Sequence, residues 1–153
     1  MSDNKKERLD ALLLKRGNTI ERTLNFNDNF NQFYHHLYEV CTFLNNELEQ
    51  KTKESLRLFR DNPYERTASI FFVMVQLFLL NGRRKAFNLD NTENFPFIKF
   101  EGDEFTGYVK STIIFRELVT KECEYSITEL LEKDKVFEIM LSFLDVIYSL
   151  YDK

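Results

Sequence analysis

Two prolines and four glycines leave this chain of 153 residues few places to turn tightly. That scarcity speaks against a sandwich or barrel of many short strands, which needs frequent turn residues. Tryptophan is absent and alanine scarce, so helix contacts must be filled by Leu, Ile and the 16 phenylalanines. Cys41 and Cys123 are the only cysteines, too few for a disulfide framework. Both fall inside helical patterns, which predicts free buried thiols in a reduced, cytoplasmic setting. The start, Met1 to Lys6, is polar with no apolar stretch behind it, so no signal peptide is expected. The longest apolar run, Ala68 to Leu80, falls short of the roughly 20 residues of a membrane span.

The same shortages narrow the chemistry. His35 and His36 are the only histidines. Neighbours on a helix point about 100° apart, so they cannot chelate one ion together. Glu39 lies within a turn of both, but helical metal sites need such pairs twice, so no metal is expected. No Gly-Lys-Ser/Thr follows any of Gly17, Gly82, Gly102 or Gly107, which removes a phosphate loop. The histidines are misplaced along the helix to activate Cys41 as a nucleophile. With no catalytic residue, cofactor or metal ligand singled out, an enzyme with an unrecognised site is the third reading.

What is present is apolar surface in helical register. Asn62-Pro63-Tyr64-Glu65 resembles a helix start, with a capping side chain, proline at the first position and an acid three residues on. Gly82 supplies a stop. The intervening run, with Ile70, Phe71, Phe72, Val73, Met74, Val75, Leu77, Phe78, Leu79 and Leu80, covers every face. It predicts a central helix buried all round, with a buried strand as its competitor. Before it, Phe30, Phe33, Tyr34, Leu37, Cys41, Leu44 and Leu48 predict a long helix from Asp28, running to Arg60 or kinking near Lys51. A short helix over Asp3–Arg16 carries Leu9, Leu12 and Leu13 and is expected to end at Gly17. It either docks loosely or serves as an arm, and 18–27 reads as a linker. At the other end, Tyr108, Val109, Thr112, Ile113, Arg116 and Val119 fit a helical face. Ser126-Ile127-Thr128-Glu129 has the pattern of a capping box, and a stripe from Leu131 to Tyr151 follows, with Asp134 able to cap a second helix. Between them, 88–94 reads as loop and 95–105 as a hairpin or an extended segment around Gly102-Asp103.

These readings add up to a single all-α domain over residues 1–153, a bundle of five or six helices with one irregular or β-hairpin insertion at about 90–105. A net charge of −4 argues against bulk attraction to nucleic acid. The expected function is that of a non-enzymatic interaction protein, acting through a protein partner or a second copy. It would suit a small subunit of an assembly or a small phage or mobile-element protein. The candidate contact residues are Phe97, Phe100 and Phe105 in the insertion, with Tyr148 and Tyr151 on the last helix. A helical nucleic-acid-binding subunit is the alternative, contacting phosphates through Arg57, Arg60, Arg83, Arg84 and Lys85.

Overall fold

The structure is a computed structural model that describes residues 3–60, 71–79 and 95–152. Among these, the chain forms a 49-residue helix α1 (Asp3–Lys51), five strands and a second helix. The strands are β1 (Glu54–Phe59), β2 (Phe72–Leu79), β3 (Phe97–Asp103), β4 (Tyr108–Phe115) and β5 (Leu118–Ser126). A 3-10 turn (Glu129–Leu131) then leads into α2 (Lys133–Tyr151). The strands pair antiparallel in chain order, β1-β2-β3-β4-β5, with one bulge near Ile113 and Ile114.

This is an α+β fold, and it overturns the expected all-α bundle of five or six helices. The central error concerns the run that ends at Leu80. Residues Phe72–Leu79 are the second strand, paired on both sides, and every residue of it but Leu79 is buried. Burial on both faces erases the in-out alternation that marks a half-buried strand, so an apolar run of this kind looks alike as strand or core helix. Phe and Val favour the pleated surface. The expected cap at Asn62-Pro63 and stop at Gly82 lie outside the described residues.

The second correction is at the N-terminus. Gly17 does not end a helix; α1 runs straight through it, and the expected linker over 18–27 is helical. The helix ends instead at Lys51, and the chain leaves it through Lys53 in the left-handed region (φ 60°). The third is the face around Tyr108 to Val119, which is β4, a hairpin and the start of β5. Phe115 pairs with Leu118 across a two-residue turn in which Arg116 and Glu117 both have positive φ, 53° and 67°. That hairpin geometry normally selects glycine or asparagine. The hairpin expected around Gly102-Asp103 turns later, since β3 continues to Asp103. Cys123 accordingly sits on β5 and not in a helix.

One face of the sheet packs against both helices. Leu56, Val73, Val75, Leu77, Ile98, Phe100, Val109 and Ile113 meet Phe26, Phe30, Phe33, Leu37, Val40, Leu44 and Leu48 of α1. Val136, Met140, Phe143 and Ile147 of α2 complete the layer. Rings interlock edge to face: Phe33 on Phe100 at 5.1 Å and Phe26 on Phe71 at 4.8 Å. Gly102 is fixed by this packing, because a Cβ there would come within 2.9 Å of the Phe26 ring.

The helices and sheet are stitched by a few polar contacts. Asn45 donates through Nδ2 to the Leu56 carbonyl at 3.0 Å, and its Oδ1 accepts the Leu56 N–H at 2.7 Å. Leu56 thus has both outward backbone groups satisfied by one side chain, which blunts the free edge of β1. Tyr148 of α2 donates to Glu54 Oε1 at 2.7 Å. His36 donates through Nε2 to the Leu131 carbonyl at 3.0 Å. At the expected capping box, the Ser126 hydroxyl accepts the Glu129 N–H at 3.3 Å, and a 3-10 turn forms there. The helix proper begins four residues later, with Glu132 at the capping position and no side-chain cap.

Candidate functional site

The helix α1 has two unlike halves. From Phe26 onward one stripe is buried, with Phe30, Phe33, Leu37 and Val40 at 0% exposure. Residues 3–25 have no buried member, and all are exposed except the half-buried Thr19 and Thr23. Twenty-three residues at 1.5 Å each make an arm of about 34 Å beyond the body. It is not a polar arm. Leu9, Leu12, Leu13, Leu14, Ile20 and Leu24 are all exposed, Leu13 at 60% and Leu24 at 61%. Exposed apolar side chains scattered singly are ordinary, but a file of them along one helix face marks a contact surface.

At about 100° per residue, Leu9, Leu13, Ile20 and Leu24 fall within about 60° of one another, and Leu12 flanks them. Charge intrudes on this face at Arg16 and at Lys6, which lies at the same angle as Leu24. Measured from the centre of the stripe, Asp10 and Glu21 lie about 70–90° to one side, and Arg8, Lys15 and Arg22 lie about 130–170° round, on the back of the helix. The arm therefore has an apolar face with an acidic flank and a basic back.

A second feature is a groove of ≈ 410 Å³ between α1 and β1, lined by Tyr34, Tyr38, Cys41, Asn45, Arg57 and Phe59 among others. Burial pushes the Cys41 thiol up to about 12, so it stays protonated and inert at neutral pH. The guanidinium of Arg60 lies over the Tyr34 ring at 4.5 Å and donates to Asn31 Oδ1 at 3.3 Å. Arg57 lies over the Phe78 ring at 5.4 Å.

The residues singled out from the sequence are dispersed. Phe100 is fully buried under α1, while Phe97 is half-buried on the opposite face of β3. Phe105 is 66% exposed in the β3–β4 turn, where the Asp103 carboxylate accepts its N–H at 2.9 Å. Tyr148 is held by Glu54, and burial together with that bond raises its phenol well above the usual range. Tyr151 packs on Phe115 at 5.3 Å and remains half exposed. The structure does not bring these five into one patch. Arg83, Arg84 and Lys85 lie outside the described residues.

His35 and Glu39 touch at 3.0 Å, and Glu39 also pairs with Lys133 at 2.6 Å. The Lys133 ammonium holds the Glu39 carboxyl below the usual range. The carboxylate thus joins α1 to the start of α2. Among the described residues no group of three His, Cys, Asp or Glu side chains is placed to hold a metal ion, and no helix is long and apolar enough to cross a membrane.

Sequence reasoning noted Leu9, Leu12 and Leu13 but missed Ile20 and Leu24 as their continuation, because a break was expected at Gly17. The signal was there: the spacing of four, seven and four residues from Leu9 to Leu24 keeps one face across the glycine. No protein-family model, curated protein or solved structure matches this chain.

Proposed function

We propose that this chain is a non-enzymatic interaction protein whose binding element is the helical arm over residues 3–25. The observation that carries the reading is the contrast within α1: the body buries its own stripe, while the arm holds a second apolar file that none of the described residues covers. A helix of this length is marginal alone in water, so packing against a partner is the natural source of its order. The body then serves as a rigid base that fixes the arm's root. Phe26 and Phe30 anchor α1 into the core where the arm begins.

The reading includes a reducing, cytoplasmic setting, supported by two free cysteines. The nucleic-acid alternative is not preferred, because Arg57 and Arg60 spend their planar faces on aromatic rings of the chain itself. The test is partner recovery with a variant carrying Leu13→Gln and Ile20→Gln. Glutamine keeps helix propensity and removes the apolar face. The proposal expects an unchanged melt and loss of the proteins that co-purify with the native chain from its own cell. Identical recovery from both proteins would refute the arm as the binding element.

A further inference from the structure

The geometry points to a second binding site, on the body: the open edge of β1 takes an extended segment of another protein as a further strand, with an acid two residues before an apolar residue. This goes beyond the arm and does not depend on it.

In an antiparallel ladder successive residues turn their N–H and carbonyl to alternate sides of the strand. Leu56 turns its pair away from β2, where Asn45 bonds the N–H at 2.7 Å and the carbonyl at 3.0 Å. Leu58, two residues on and opposite Val75, turns its pair the same way. No described residue bonds either of these groups of Leu58. The amide of Asn45 stands where the backbone of a neighbouring strand would stand, so one place on this edge is filled and the next is open. A main-chain donor and acceptor side by side on a strand edge match an extended peptide backbone.

The side chains on either side set the sequence. A residue that exchanges bonds with Leu58 points its side chain to the helix side of the sheet, as Leu58 does. There it meets the groove beside Tyr34 and Tyr38, with buried Cys41 and Leu56 in its lining, which suits an apolar side chain. The residue two places along shares that face and reaches Arg60, whose guanidinium lies over the Tyr34 ring at 4.5 Å. Arg60 gives one donor to Asn31 and has no carboxylate partner among the described residues. A guanidinium stacked on a ring keeps its edge donors in a fixed plane, which suits a carboxylate. No acid lines the groove, and its one charged residue is Arg57. Antiparallel pairing, the more stable mode, puts the acid on the N-terminal side of the apolar residue. Beyond the apolar residue Asn45 holds the edge, so the segment leaves there through a turn or a chain end. The β1 edge of a second copy fits poorly. Pairing about Leu58 would drive each Arg60 onto the other copy's Asn45 and crowd the arginines of both copies on one seam.

The test uses the full chain and labelled peptides, read by fluorescence anisotropy. The probe is Thr-Glu-Thr-Val-Thr. One control replaces its Glu by Lys, and another carries N-methylvaline, which removes the amide N–H that faces the Leu58 carbonyl. The probe should bind saturably, and either change should weaken it about tenfold. Arg60→Gln, with its fold checked by circular dichroism, should bring the Glu and Lys peptides to equal affinity. The Leu13→Gln, Ile20→Gln variant should bind the probe as the native chain does, which separates this site from the arm. Loss of binding in that variant would place the peptide on the arm and overturn the β1 site. No saturable binding up to about 1 mM overturns it as well. Equal binding of the N-methyl peptide, which needs no variant of the chain, would show that the backbone is not read and overturn strand addition. Proline at position 58 would remove the outward N–H and leave the β1–β2 ladder intact. If the chain sediments as a dimer that Leu58→Pro dissolves, a second copy holds the edge and the peptide proposal fails.

Discussion

Residues 3–25 and 26–51 belong to one unbroken helix, yet one half has no buried residue and the other supplies eight. Their local propensities do not explain the split. The outer half is the richer in Leu, Lys and Arg, both halves are poor in β-branched residues, and both repeat apolar residues at three- and four-residue spacing. What differs is the size of the apolar side chains and what lies opposite them. The inner half presents Phe26, Phe30 and Phe33, whose rings fit against Phe71, Phe100 and the gap left by Gly102. The arm presents leucines with none of the described strands beneath them. Helical order in the first case follows from tertiary packing; in the second it must come from elsewhere.

The comparison is sharpened most by truncating one residue in each half. Phe33→Ala should destabilise the fold by about 3–5 kcal/mol, as large buried aromatics do when a cavity replaces them. Leu13→Ala should shift stability by no more than about 0.5 kcal/mol. Urea melts at low micromolar concentration read both. A Leu13→Ala loss comparable to that of Phe33→Ala would mean that the arm folds back on the body.

The next effect belongs to the polar clip that only the inner half makes. Asn45→Ala removes both bonds to Leu56 and leaves a strand-edge N–H and carbonyl unsatisfied, which should cost about 1–3 kcal/mol. It should also expose the edge of β1 to pairing with other chains. Light scattering during refolding, alongside the melt, measures the two consequences.

A titration separates the halves chemically. The ordinary thiol pKa is about 8.5, and burial pushes that of Cys41 up to about 12. The folded state favours the protonated form, so its contribution to stability is complete below about pH 8.5. It is lost as pH rises toward 12. The raised phenols of Tyr125 and Tyr148 act in the same direction. Iodoacetamide at pH 8 should therefore leave Cys41 unmodified until the protein unfolds, while a cysteine placed by Leu13→Cys should react at the rate of a free thiol.

The smallest effect is at Gly17, which lies in the arm with open space around its Cα. Gly17→Ala should raise the arm's local helix stability by about 1 kcal/mol. Helicity by circular dichroism should rise while the melting midpoint of the body stays fixed.

The elements that could be read from the sequence are those where burial is one-sided. The stripe from Phe30 to Leu48 and the one from Val136 to Ile147 have a polar back, so their period shows. The run from Phe72 to Phe78 has no polar back, and with both faces buried its period is silent. Around Tyr108, the residues Val109, Ser111 and Ile113 alternate inward in the strand, but Val109, Thr112 and Ile113 also fit a helical face. Only the pairing with β3 decides between them. The candidate site was partly legible for the same reason. Its leucines stand in register, but whether a register is covered depends on where the sheet ends, and local sequence does not encode that.

Hydrogen exchange along α1 tests the two-halves account most directly, measured residue by residue at low micromolar concentration. Amides of Phe30 to Leu48 should exchange only through global unfolding, and amides of Glu7 to Leu24 should exchange orders of magnitude faster, with no dependence on the stability of the body. Protection of Glu7 to Leu24 equal to that of Phe30 to Leu48 in the dilute monomer would contradict the account, because it would place the arm's leucines against the body and leave no free face.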